Sequence, residues 1–234
     1  MIINANAEHC LSFISSQLQG ASRPGVSADK NVRRAVTISR QAGCGAVVVA
    51  EKLGRFLQEH SLRDPCPWTV FDRDLMSKVL EDHNLPARMA KFLPEDRVSQ
   101  LEDIVADVFE THPPSETIAQ QITETMLKLA GLGHVILIGR GGNVITAKLP
   151  YVFHVRLVAP LEKRVEYAHQ FYNMTKTEAH RFCVDQDRGR ERYLKRYFSA
   201  DINDPLLYHL VVNTDLMGYD AAAKLIGSAV LNLN

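Results

Sequence analysis

Five short runs constrain this chain more than any other feature: Ala35 to Ser39, Thr69 to Phe71, Val135 to Ile138, Tyr151 to Val158 and Leu210 to Asn213. Each is rich in β-branched, aliphatic or aromatic residues, and stretches with helical periodicity separate them. The runs are too uniformly apolar to leave one face wet. Strands of that kind, alternating with helices, pack as a parallel sheet covered on both sides, so the expectation is an α/β domain with five parallel strands. The 234 residues suffice for one such domain with an appendage, and it needs no disulfide or metal to hold it together.

Two further segments flank or interrupt this pattern. Leu11, Ile14 and Leu18 fall at helical spacing, and the stretch from Gly20 to Lys30 is rich in Gly, Ser, Pro and Ala, so residues 1–31 read as a helical arm and linker ahead of a domain at 32–234. The arm either docks on the domain or serves a regulatory or dimer-forming role, which leaves a homodimer open. Residues 73–131 form the longest insertion, with helical segments broken at Pro86, Pro94 and Pro113-Pro114.

Composition narrows the function classes. Lys+Arg and Asp+Glu balance at 27 each, which argues against a nucleic-acid partner or an anionic membrane surface. A basic stripe, Arg181, Arg188, Arg192 and Lys195, is the one feature in favour of RNA. The four cysteines, Cys10, Cys44, Cys66 and Cys183, show no C-x-x-C spacing, and the nine histidines make no H-x-x-x-H pair, so no metal-ligand set is read and a reducing compartment, the cytoplasm, is expected. No apolar run approaches the roughly 20 residues of a membrane span, and the first 20 residues lack the pattern of a secretory leader. No G-x-S-x-G elbow is present, so nucleophilic hydrolysis has no support.

The chemistry-bearing residues sit where strands end. After the first run comes Arg40-Gln41-Ala42-Gly43-Cys44-Gly45-Ala46-Val47, a strand, a glycine turn and a helix start. Backbone N–H groups at such a turn favour a phosphate. Measured against G-x-x-x-x-G-K-[ST], the turn keeps its second glycine as Gly45, but Arg40 replaces the first, Ala46 the lysine and Val47 the hydroxyl. Gly43, Cys44, Gly45, Ala46 and Val47 are therefore candidate phosphate-binding residues, with Arg40 either lending the missing charge or pairing with a carboxylate at the sheet edge.

A second turn, Gly139-Arg140-Gly141-Gly142, follows the third run and sets an arginine among glycines with little to pack against, pointing to a ligand role for Arg140 rather than a place in solvent. In a parallel sheet both turns open into one crevice. Asp72 and Asp74 follow the second run. Asp72 suits holding magnesium through water, or orienting or deprotonating an acceptor hydroxyl, while capping the next helix is the alternative for either aspartate. After the fourth run, Pro160 suits a helix start and Arg164 lies one turn in. Thr175-Lys176-Thr177-Glu178 is a capping box opening a helix to about Phe198. On its wheel Arg181, Arg188, Arg192 and Lys195 share a solvent face, and Arg190 lies opposite with Phe182, Tyr193 and Tyr197. There Arg190 meets either Asp187 or a ligand phosphate.

In this order the pieces resemble the cytidylate kinase-like family, a branch of the P-loop nucleoside-monophosphate kinases. The residues that carry the likeness are Thr37 to Gly45, Phe71 to Leu75, Ile138 to Asn143, Ala159 to Arg164, Asp187 to Arg190 with Tyr193, and Tyr208 to Thr214. The resemblance implies a P-loop kinase core, an acceptor-binding insertion after the second strand and a lid-like helical region over 160–200. It implies ATP and Mg2+ as cofactors, a nucleotide ligand, Arg140 on acceptor phosphate, and Arg164 and Arg190 as lid arginines. The implied activity moves the γ-phosphoryl group of ATP to a small phosphorylated acceptor, a cytidine nucleoside monophosphate. The absent lysine and hydroxyl keep a second expectation alongside it, an inactive nucleotide- or anion-binding regulatory protein of the same fold.

Overall fold

A computed structural model describes residues 33–60, 67–72, 103–104 and 117–233. The arm over 1–31, Asp74 and most of the 73–131 insertion lie outside the described residues. Five strands, β1 (Ala35–Arg40), β2 (Thr69–Phe71), β3 (Val135–Ile138), β4 (Val152–Val158) and β5 (Leu210–Asn213), form one parallel sheet in the order β2-β3-β1-β4-β5. These are the five expected runs, with β1 reaching one residue further, to Arg40, and β4 starting one later, at Val152.

Alternation along each strand explains why both faces are dry. Ala35, Val135 and Leu137 point to one side and join Met126, Leu127 and Ala130 of α2 (Thr117–Leu132), Ile145 of α3 (Gly142–Ile145), and Leu194 and Phe198 of α5 (Lys176–Phe198). Val36, Ile38, Ile136 and Ile138 point to the other, against Val49, Leu53 and Leu57 of α1 (Ala46–His60) and Ala222, Ile226 and Val230 of α7 (Tyr219–Leu231). On α1 the buried residues recur at three- and four-residue intervals, so one stripe faces the sheet and the rest faces water.

Two helices stand partly apart from this sandwich. α4 (Leu161–Phe171) and α5 pack on each other through Ala168, Ala179 and Cys183, and Ala42 from the first glycine turn is part of the same small core. α5 starts with the capping box read from sequence: the Thr175 hydroxyl accepts from the Glu178 N–H and the Glu178 carboxylate accepts from the Thr175 N–H at 2.8 Å. A short helix α6 (Thr214–Met217), capped by the Asn213 side chain, links β5 to α7. The connection after β1 leads past β3 to β2 and that after β3 leads past β1 to β4, so the switch point lies between β1 and β3, and the crevice beyond their carboxyl ends is where such folds bind ligands.

Candidate functional site

A cavity of about 300 Å³ opens at that switch point. Arg40 at the end of β1, Arg140 just beyond β3 and Arg190 on α5 all line it, with Tyr193 and Asn143 on its wall. Three elements distant in sequence thus bring three guanidinium groups to one space. Room for them comes from glycine: the Arg40 guanidinium lies against Gly139 where any side chain would overlap it. Gly139, Arg140 and Gly141 are three consecutive left-handed residues, at φ of 86°, 58° and 74°. For Arg140, the one with a Cβ, that conformation costs stability, a pattern associated with functional positions.

Electrostatics make the cavity a receptor for an anion. Burial, and then repulsion from Arg190 and Arg140, pull the Arg40 guanidinium down to about 10. Arg190 is likewise lowered by burial, with Asp187 opposing the shift. A phosphate among the three guanidiniums relieves their repulsion through charge-assisted, fork-like contacts. Cys44, close by, is no nucleophile: burial raises its thiol to about 11 even beside the arginines.

Arg164 behaves differently from the lid arginine that the resemblance implies. It is 6% exposed, does not line the cavity, and points back at the loop. Its Nε donates to the Ala159 carbonyl at 2.9 Å, and its Nη1 to the Ala42 carbonyl at 3.0 Å and to Asp187 at 2.7 Å. Asp187 is the hub that sequence reasoning saw only in part. Besides Arg164 it takes Arg190 Nη1 at 3.0 Å, the pairing the helix wheel offered as one alternative, and the Ala42 backbone N–H at 2.7 Å. The i, i+3 spacing of Asp187 and Arg190 signals the first contact. Nothing in the sequence signals the second, which spans 145 positions.

The candidate phosphate loop is covered. Gly43 and Gly45 adopt φ of 80° and 73°, but the Arg164 backbone lies over Gly43 and the Tyr219 ring over Gly45, each where a Cβ would be. Thr214 donates its hydroxyl to the Cys44 carbonyl at 3.1 Å, and the Gln41 side chain accepts from the Ala159 N–H at 3.0 Å. Cys44 and Ala46 belong to the hydrophobic core and Val47 is on the surface. None of Gly43, Cys44, Gly45, Ala46 or Val47 lines the arginine cavity. The loop lacks the ammonium that a full phosphate loop offers the β- and γ-phosphates, and its Ala42 N–H is already bonded to Asp187. Asp72, half-buried at the end of β2, also lies outside the cavity lining. Among the described residues no three His, Cys, Asp or Glu side chains gather as a metal cluster.

The model of the cytidylate kinase-like family matches residues 35–216. A cytidylate kinase of Methanocaldococcus jannaschii is 22% identical over 157 residues, 66% of this chain and 88% of that protein. A uronate isomerase of Corynebacterium glutamicum is 29% identical over 109 residues, 47% of this chain, but the match spans only 21% of that relative. Among solved structures, an uncharacterized protein from Eubacterium ventriosum superposes with a TM-score of 0.63 at 16% identity, covering 85% of this chain and 98% of its own. At that identity the likeness speaks to the fold.

Proposed function

We propose that this chain, which belongs to the cytidylate kinase-like family, is a nucleotide kinase that binds a nucleoside monophosphate in the arginine cavity and transfers the γ-phosphoryl group of ATP to it. The observation that carries the reading is the meeting of Arg40, Arg140 and Arg190 in one cavity at the carboxyl end of the sheet. In this reading Arg140, on its rigid left-handed turn, grips the acceptor phosphate. Arg190 and Arg40 neutralise charge around it, the work that phosphoryl transfer asks of a protein. A cytidine nucleoside monophosphate is the proposed acceptor by family membership and by the named cytidylate kinase relative. Asp72 is the proposed holder of the magnesium that accompanies ATP, which supplies charge neutralisation when bound.

Calorimetry with each nucleoside monophosphate, paired with a transfer assay using labelled ATP, tests the proposal. Micromolar to millimolar binding of CMP, with label appearing in CDP, is expected. Arg140→Ala or Arg190→Ala should weaken monophosphate binding by roughly tenfold to a hundredfold, the value of one contact to a charged group. Binding with no transfer under any condition would instead identify an inactive nucleotide-binding member of this fold.

A further inference from the structure

We propose that Gly189 is a specificity-determining residue: the notch it leaves in α5 seats the nucleoside part of the acceptor whose phosphate is held by Arg140 and Arg190. The inference rests on the monophosphate reading of the cavity given above and assigns the surface that receives the rest of that ligand.

Gly189 lies well inside the 23-residue helix α5. In a helix interior glycine is the poorest choice after proline, because it gives up the most backbone freedom on folding. Elsewhere on the cavity wall glycine has a local reason. Gly139 and Gly141 are left-handed, and a Cβ on either would run into Arg40 or Phe198. Gly189 has neither reason: its backbone is helical, and among the described residues no atom lies within 4 Å of the place its Cβ would take. Neither conformation nor packing against the protein calls for a bare position here, so the space it leaves is available to a ligand.

That space belongs to the arginine cavity. Gly189 lines it, and so do Asp185 and Tyr193, four residues before and after it on the same helix face, and Gln186, three before. A side chain at 189 would therefore grow out between positions that already border the cavity. The lining also has a polarity. Its cations are Arg40, Arg140 and Arg190, whereas around Gly189 stand a carboxamide, a phenol ring and the Asp185 carboxylate, which Arg181 neutralises at 3.4 Å. A phosphate suits the first group and an uncharged ring system the second. The Tyr193 ring is braced as a wall, with Tyr197 at 5.0 Å and Phe198 at 6.0 Å, and the Gln186 amide offers both a donor and an acceptor to sugar hydroxyls or a base edge. At about 300 Å³ the cavity has more room than a lone phosphate fills and matches the lower end of small-molecule pockets. Bare helix backbone at Gly189 lets a flat ring come close.

The test measures calorimetric binding of CMP and of inorganic phosphate to the wild type, Gly189→Ala and Gly189→Leu, with a urea midpoint for each protein. Alanine and leucine are better helix formers than glycine, so both variants should fold and the midpoint of Gly189→Ala should rise. Gly189→Ala should weaken CMP binding several-fold and Gly189→Leu by about tenfold to a hundredfold, the range that overpacking produces, while phosphate binding stays within about twofold of the wild type in both. A merely structural glycine would lower the midpoint and weaken both ligands alike, and that result overturns the proposal. CMP binding unchanged in Gly189→Leu also overturns it, because the nucleoside then lies elsewhere. Should the wild type bind phosphate and CMP equally well, the nucleoside has no seat, and the notch falls while the arginine cavity stands. Should it bind neither, both readings fall together.

Discussion

Arg140 shows how a single residue can be expensive and retained. With φ at 58° it occupies the left-handed region without being glycine, between two glycines that occupy it at no steric cost. Replacing it by glycine should stabilise the fold by up to about 1 kcal/mol through relief of that conformation. The same change should weaken CMP binding at least tenfold. A urea midpoint that rises while calorimetric affinity falls would establish that the side chain is kept for its ligand, and a falling midpoint would show that it holds the turn together. At this scale the sequence was informative about residue type and silent about direction. Arg40 and Arg140 are legible as candidates because each sits at a strand end, and Arg190 because it lies on the inward face of its helix, with Asp187 or a phosphate as its partner. Arg164 was equally legible and proved to serve the loop. The difference between them lies in a hydrogen bond to Ala42 across 122 positions, which no local pattern encodes.

Among elements, the pairing of α1 with α7 depends on one close approach. Gly227 on α7 meets the Phe56 ring on α1, so tightly that an added Cβ would overlap it. Alanine is the better helix former by about 1 kcal/mol, yet Gly227→Ala should destabilise the protein by roughly 1 to 3 kcal/mol from overpacking. Shrinking the ring with Phe56→Leu should recover most of that loss, and paired thermal melts decide it. Elements were the most legible part of the chain. β2, β3 and β5 match the expected runs residue for residue, and the capping box at Thr175 begins α5, because these signals are local. The helix wheel also held: Arg181, Arg188 and Arg192 are exposed, while Arg190 turns inward. What the elements could not reveal was the covering of Gly45 by Tyr219, a contact between the start of α1 and the start of α7.

Over the whole molecule, a histidine pair joins the sheet to solution pH. His154 on β4 is 6% exposed, bonded to the Thr37 hydroxyl at 2.8 Å and tilted against the ring of His209, which accepts from the His154 N–H at 2.9 Å. Burial, and then His209, hold His154 down at about 4, against 6.5 for a free side chain, and burial lowers His209 too. The unfolded chain therefore binds more protons than the native one between these values, so stability is complete above about pH 6.5 and declines as pH falls toward 4, by about 3 kcal/mol for His154. Urea titrations from pH 7.5 to 4.5 should show the decline, and His154→Gln should flatten most of it. The fold class was legible because five dry strands admit few arrangements. The strand order and the state of the loop were not, since both are settled by packing between distant segments.

Tyr219 has a further consequence for anyone who would refit this loop with the missing ammonium. Position 46 is 9% exposed and packed in the core, beside a glycine whose one open side the Tyr219 ring fills, so Ala46→Lys alone would bury a cation. The ring has to be removed as well, and its removal alone would open a hole with no charge to fill it. Each change by itself costs stability, so a lysine-bearing form of this loop needs both changes made together.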